Sequence, residues 1–151
     1  MDSKIIHKFD RAVLGFIKKH HIALARWAIF IVYFWFGLLK LLDASPAQPL
    51  VQSLLEHTLP FISFHTFIVF FALFEMLIGI LFLIRGMERP VMILLVIHLI
   101  TTCGPLVLLP QVTWSGFLIP TLEGQYIIKN VLIIALAFVV AAQIDFLDHK
   151  K

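Results

Sequence analysis

Four stretches of this chain, residues 22–42, 64–84, 91–109 and 126–144, are apolar over nearly their whole length. Each has the roughly 20 residues a helix needs to cross a hydrocarbon core ~30 Å thick. The fold class predicted is all-α: a bundle of four transmembrane helices in a single membrane domain that uses all 151 residues. A hydrophobic share of 61% and a mean hydropathy of +1.00 point the same way, because so few polar side chains cannot clothe a water-facing surface.

The charges set the expected orientation. Ten of the twelve Lys and Arg residues lie in three places: Lys4 to Arg26, Arg85 with Arg89, and Lys150 with Lys151. Four spans bring those three segments to one side, so the basic excess reads as a positive-inside signature and not as a nucleic-acid patch. Both termini are expected in the cytoplasm, and no nucleic-acid partner is expected. Cys103 is the only cysteine, which excludes an internal disulfide and dithiol chemistry within one subunit. The amino end carries a long charged segment with no small-residue cleavage site, so a cleavable signal is not expected. Asp2 and Asp10 interrupt the pattern of a transit peptide.

In residues 1–20, Ile5, Ile6, Phe9, Ala12, Val13, Phe16 and Ile17 recur at helical spacing, and Lys4, Lys8, Arg11, Lys18 and Lys19 take the rest of the wheel. This predicts an amphipathic interfacial helix on the inner leaflet, held by anionic lipid headgroups; a lipid sensor or a partner-docking helix is the functional alternative. Between the first two spans, Ser45-Pro46 and Pro49 supply helix-start chemistry, and Leu50, Val51, Leu54, Leu55 and Leu59 predict a short outer helix. Pro110 to Gln125, with Trp114 and Phe117, suits an interfacial loop over the outer opening. Gly86 to Arg89 is a tight turn closed by Pro90, which makes spans two and three antiparallel neighbours.

Few ionisable residues lie inside the spans. Glu75 falls ten positions before Arg85 and His98 nine after Arg89, so both sit roughly 14 Å in from that turn, near mid-membrane. Ala72, Glu75 and Gly79 share a face on which the small residues permit close helix approach, so Glu75 is expected to face protein. His98, Thr101, Thr102 and Pro105 form one stripe, and Pro105 cannot donate to the carbonyl of Thr101, which predicts a weakened helix with a freed acceptor. The alternative is that both threonines bond back to their own helix and His98 meets a neighbouring carbonyl. The depth match favours a functional Glu75/His98 pair, since intramembrane ionisable groups cost ~2.5 kcal/mol or more.

Tyr33, Gly37 and Lys40 share a face of span one, and Glu123, Tyr126, Lys129 and Asn130 open span four. Lys40 and Lys129 break the positive-inside pattern. They are expected either to pair with Asp43 and Glu123 and tie spans one and four, or to leave one lysine for an anionic or carbonyl-bearing ligand. With Asn130 and Thr102 these groups would line a polar track from the outer mouth to Glu75 and His98. The inner halves, residues 80–84, 91–96 and 133–142, are almost wholly apolar, which favours a one-sided pocket over an alternating-access path. A haem needs two deep axial ligands and only His98 is deep. No metal motif, nucleotide loop or nucleophile elbow is present.

On these residues the chain resembles the DoxX-like family of small four-helix membrane proteins, with its DoxD-related and YkgB-like branches. The likeness runs from about Ala25 to Asp145. It is carried by Arg26 with FGLLK at 36–40, EMLIG at 75–79 followed by Arg85-Gly86, and EGQYIIKN at 123–130. The Gly-rich Ser/Asp ending of the family's commonest form is missing, though Asp145 stands near its place. The resemblance implies a bacterial inner-membrane protein linked to sulfur or oxidative-stress redox systems, with quinone as the associated cofactor. The resulting expectation is the membrane subunit of an oxidoreductase system handling a quinone or similar lipophilic redox partner. Glu75 and His98 would relay a proton as the catalytic pair, and Lys40, Thr102, Glu123, Tyr126, Lys129 and Asn130 would bind the ligand. Expected partners are membrane lipids, a quinone and a redox partner subunit, with a homo-oligomer left open. The competing classes are a small-molecule or proton-coupled carrier and a stabilising subunit without chemistry.

Overall fold

The computed structural model describes residues 3–142, with side chains from His7 onward. In chain order it contains α1 (Ser3–Leu41), α2 (Gln48–Thr58), α3 (Phe64–Leu83), α4 (Glu88–Cys103), α5 (Pro105–Leu108), α6 (Pro110–Thr113), β1 (Trp114–Gly116), β2 (Ile119–Pro120), α7 (Leu122–Ile128) and α8 (Asn130–Ala141). Four helical runs, His7–Leu41, Phe64–Leu83, Glu88–Leu108 and Leu122–Ala141, are long and apolar enough to cross a membrane. The end of span four, residues 143–144, lies outside the described residues, as do Asp145, Lys150, Lys151 and the side chains of Lys4, Ile5 and Ile6.

The first difference from expectation is at the amino end. No turn separates an interfacial helix from span one; α1 is one helix of 39 residues, ~58 Å long. The reason is local: between Gly15 and Gly37 there is neither glycine nor proline to stop the helix. The second difference is a short antiparallel hairpin, β1 against β2, inside the connection expected to be an irregular loop. Leu118 at its tip takes a left-handed φ of 56°. The third is at Pro105, where the hydrogen-bond ladder is interrupted while Gly104 keeps helical angles (φ −48°, ψ −45°) and the run continues to Leu108. The carbonyl of Thr101 that Pro105 cannot serve accepts from the Gly104 N–H at 3.3 Å, so the tightened turn recovers the acceptor. The outer helix forms as α2, with Pro49 in its first turn.

Two small residues set the closest helix approach. A Cβ on Gly37 would stand 2.7 Å from the Ala72 carbonyl oxygen and from Met76 Cγ, and one on Gly79 would stand 3.1–3.2 Å from Phe30, Tyr33 and Phe34. α1 and α3 therefore touch backbone to backbone at two levels. α4 and α8 complete a core of Ala25, Ile29, Tyr33, Ile78, Phe82, Val91, Leu95, Leu99, Ala137 and Val140. At the end of the bundle that carries the Arg85–Arg89 turn, hereafter the basic end, Arg26 Nη1 donates to the carbonyl of Phe82 at 2.9 Å. Arg26 Nη2 pairs with Glu88. That tie joins α1 to the last turn of α3 and the first turn of α4.

Candidate functional site

Because Gly37 lies on Ala72 and Gly79 lies on Tyr33, the two polar residues on that face of α1 flank Glu75 of α3. Lys40 Nζ donates to Glu75 Oε2 at 2.6 Å. On the other side of the carboxylate, His98 Nε2 lies 3.1 Å from Oε1, and His98 Nδ1 lies 3.1 Å from the hydroxyl of Tyr33. An ionised carboxylate only accepts, so the network assigns the Nε2–H tautomer to a neutral His98, and Nδ1 then accepts from the Tyr33 O–H. The result is one chain of hydrogen bonds, Tyr33 to His98 to Glu75 to Lys40, running across three helices.

All four side chains are buried, with 4–7% of their surface exposed. Isolated charges there would be expensive, and here the ammonium is paired and both carboxylate oxygens are engaged. Aromatic rings fix the imidazole. Phe71 stacks on it at 5.2 Å and 14°, and Tyr33 meets it edge-on at 5.0 Å. Lys40 Nζ also stands 5.5 Å from the Phe71 centroid. Between this cluster and the basic end lie Ile29, Ile78, Phe82, Val91 and Leu95, each 1% exposed or less. That layer is an apolar plug.

Of the residues singled out from sequence, Glu75, His98 and Lys40 converge. Lys40 does so with a different partner from either expected one: it ties α1 to α3 through Glu75, not through Asp43 or Glu123. Asp43 instead occupies a left-handed position just past the end of α1, with φ 55°. Thr102 Oγ1 donates to the carbonyls of His98 at 2.8 Å and Leu99 at 3.3 Å, back onto its own helix. Thr101 does the same to Ile97. Glu123, Tyr126 and Lys129 are exposed and Asn130 is half-buried. Lys129 Nζ sits 3.7 Å from the Tyr126 ring centroid.

The cause is the rotation of α7. A Cβ on Gly124 would fall 2.2 Å from the Thr113 carbonyl oxygen, and Ile127 is buried. Glycine and Ile127 therefore take the inward face, which turns Glu123, Tyr126 and Lys129 outward. None of the hydrogen bonds in the buried chain involves them. An apolar groove of about 350 Å³ lies between α4 and α8, lined by Leu95, Leu99, Cys103, Ile134, Ala137 and Phe138 among others, and none of the four polar side chains reaches it.

Two contributors were missed from sequence. Tyr33 was placed on the right face without its bond to His98, and the Arg26/Glu88 tie was not foreseen. The signal for the second was available, since Glu88 is the one acid in a turn otherwise marked by Arg85 and Arg89. What fold and site define together is a bundle of span-length helices with a buried chain of ionisable groups at its centre. No family model matches the chain, and no curated protein and no solved structure matches it either.

Proposed function

We propose that the protein is the membrane subunit of an oxidoreductase system that handles a quinone or a similar lipophilic redox partner, and that the Tyr33–His98–Glu75–Lys40 chain is its proton relay. One observation carries the reading: the imidazole has a phenol on one nitrogen and a carboxylate on the other, at 3.1 Å each. Such a histidine can take a proton on one side and release it on the other without moving, which is what coupling protons to quinone chemistry requires. Lys40 is the movable member. It sits one residue before the end of α1, and its four-carbon stem can carry the ammonium away from Glu75 to admit a carbonyl-bearing head group. The apolar plug on the basic side leaves the α2 end as the side of access, so a one-sided site fits better than a carrier path. The resemblance to the DoxX-like family, a bacterial inner-membrane setting and cytoplasmic termini belong to the same proposal.

A second reading has its own support. The four groups satisfy one another, so the chain also serves as a staple for a stabilising subunit without chemistry. The test separates the two. Quinone is extracted from the purified protein and quantified, and quinone-linked activity of the intact membranes is measured for Glu75→Gln and His98→Ala. Retained insertion with loss of both bound quinone and activity is the expected result. No quinone in the wild type, with both variants merely less stable, overturns the relay in favour of the staple. Substrate uptake into sealed vesicles by the protein alone, lost in Glu75→Gln, would establish a carrier instead.

A further inference from the structure

We infer that the part of α1 beyond the bundle is a docking arm for anionic lipid headgroups. Arg26 marks the level at which α1 leaves the bundle, because its guanidinium spans Phe82 and Glu88 at the basic end. Residues 7–24 of the same helix extend ~27 Å further. Every residue from His7 to Lys19 is exposed, including Phe9 at 71% and Phe16 at 56%. At 100° per residue, Phe9, Ala12, Val13, Phe16, Ile17, His20 and Leu24 occupy one side of this arm. Lys8, Arg11, Lys18 and Lys19 occupy the other, with Asp10 as the lone described acid on its border.

Charge decides the occupant. A second copy of the arm would cover the apolar stripe and leave all four cations without a counter-charge. A surface of anionic headgroups over an acyl layer matches both faces, with cations at the phosphates and the aromatic stripe at the acyl boundary. An arm continuing straight along α1 would hold that stripe away from the bilayer, so docking requires a bend. α1 is continuous from Ser3 to Leu41, so the bend forms on docking.

The experiment uses the full chain with Cys103→Ser, at one copy per nanodisc, carrying an environment-sensitive fluorophore on Phe16→Cys or, as the opposite-face control, Gly15→Cys. Discs contain phosphatidylcholine alone or with phosphatidylglycerol, each with nitroxide-labelled lipid as quencher. Expected is strong quenching at position 16, weak quenching at 15, and dependence on phosphatidylglycerol. Lys18→Gln should lower the docked-to-free ratio about fivefold, since each basic residue near such a surface contributes ~1 kcal/mol. A water-exposed label at position 16 in the anionic discs overturns the inference. So does quenching that is equal in phosphatidylcholine and indifferent to Lys18→Gln, and so does protection that arises only when two copies share a disc.

Discussion

Lys40→Met should be strongly destabilising alone and nearly harmless beside Glu75→Gln. At the 2.6 Å separation of Nζ and Oε2, and with an effective dielectric near 20, the attraction is about 6 kcal/mol before desolvation is counted. Methionine keeps the stem and removes the charge, which leaves a buried carboxylate facing only His98. Breaking one side of such a pair typically costs ~3–5 kcal/mol. Glu75→Gln alone strands the ammonium and should cost about the same. In the double variant a thioether lies beside an amide that still meets His98 Nε2, and the expected loss is only ~1–2 kcal/mol, because a buried pair replaced as a unit is often close to neutral. The assay is reversible unfolding of the detergent-solubilised protein followed by tryptophan fluorescence, run as a double-mutant cycle. A coupling of ~3 kcal/mol or more is expected. Single losses that add to the double within ~0.5 kcal/mol would refute the reasoning, since independent sites behave that way.

Gly37→Ala should cost ~1–3 kcal/mol because its Cβ would lie 2.7 Å from the Ala72 carbonyl oxygen. Gly15→Ala, in open space on the same helix, should gain ~0.5–1 kcal/mol, and the opposite ranking in the same assay would be inconsistent with the α1/α3 contact. Tyr33→Phe removes the donor to His98 Nδ1, so the ring nitrogen shifts of His98 in nitrogen-15 NMR should move and stability should fall by ~1 kcal/mol; unchanged shifts would show that the bond is absent. Glu88→Gln should weaken the Arg26 tie and loosen the basic end first, seen as faster amide exchange in the last turn of α3, while exchange around Glu75 stays unchanged.

The four span-length helices were legible because hydropathy over 20 residues is a strong, local signal. Depth was legible too: counting from the Arg85–Arg89 turn placed Glu75 and His98 at one level, and the structure has them 3.1 Å apart. Neighbourhood was not. Face periodicity places Tyr33, Gly37 and Lys40 on one stripe of α1, but it does not say which helix that stripe meets. The partner was decided by glycine-to-backbone contact with α3, a property of two surfaces at once. Lys40 was assigned to nearby acids in sequence for want of that information. The rotation of α7 was equally hidden, since it depends on Gly124 fitting against the Thr113 carbonyl, and so Glu123, Tyr126 and Lys129 face outward. The weakened ladder at Pro105 was legible from the proline alone, whereas the rescue of the Thr101 carbonyl depends on backbone geometry that no side-chain pattern encodes.

The position of Lys40 at the very end of α1, opposite a mid-helix carboxylate on a helix made later, has a consequence for biogenesis. If these span-length helices enter a bilayer, the ammonium of α1, one residue from the helix end, can reach out to the aqueous boundary, so α1 need not carry a charge into the hydrocarbon. Glu75 has no such escape: it lies eight residues from one end of α3 and eleven from the other, where a lone acid adds ~2.5–3.5 kcal/mol to insertion. The later helix therefore arrives carrying a penalty that the earlier one is placed to remove, by folding its lysine inward as Gly37 settles on Ala72. Charge entry into the membrane and helix pairing become a single event, and the order of translation, lysine before glutamate, is the order in which that event can proceed.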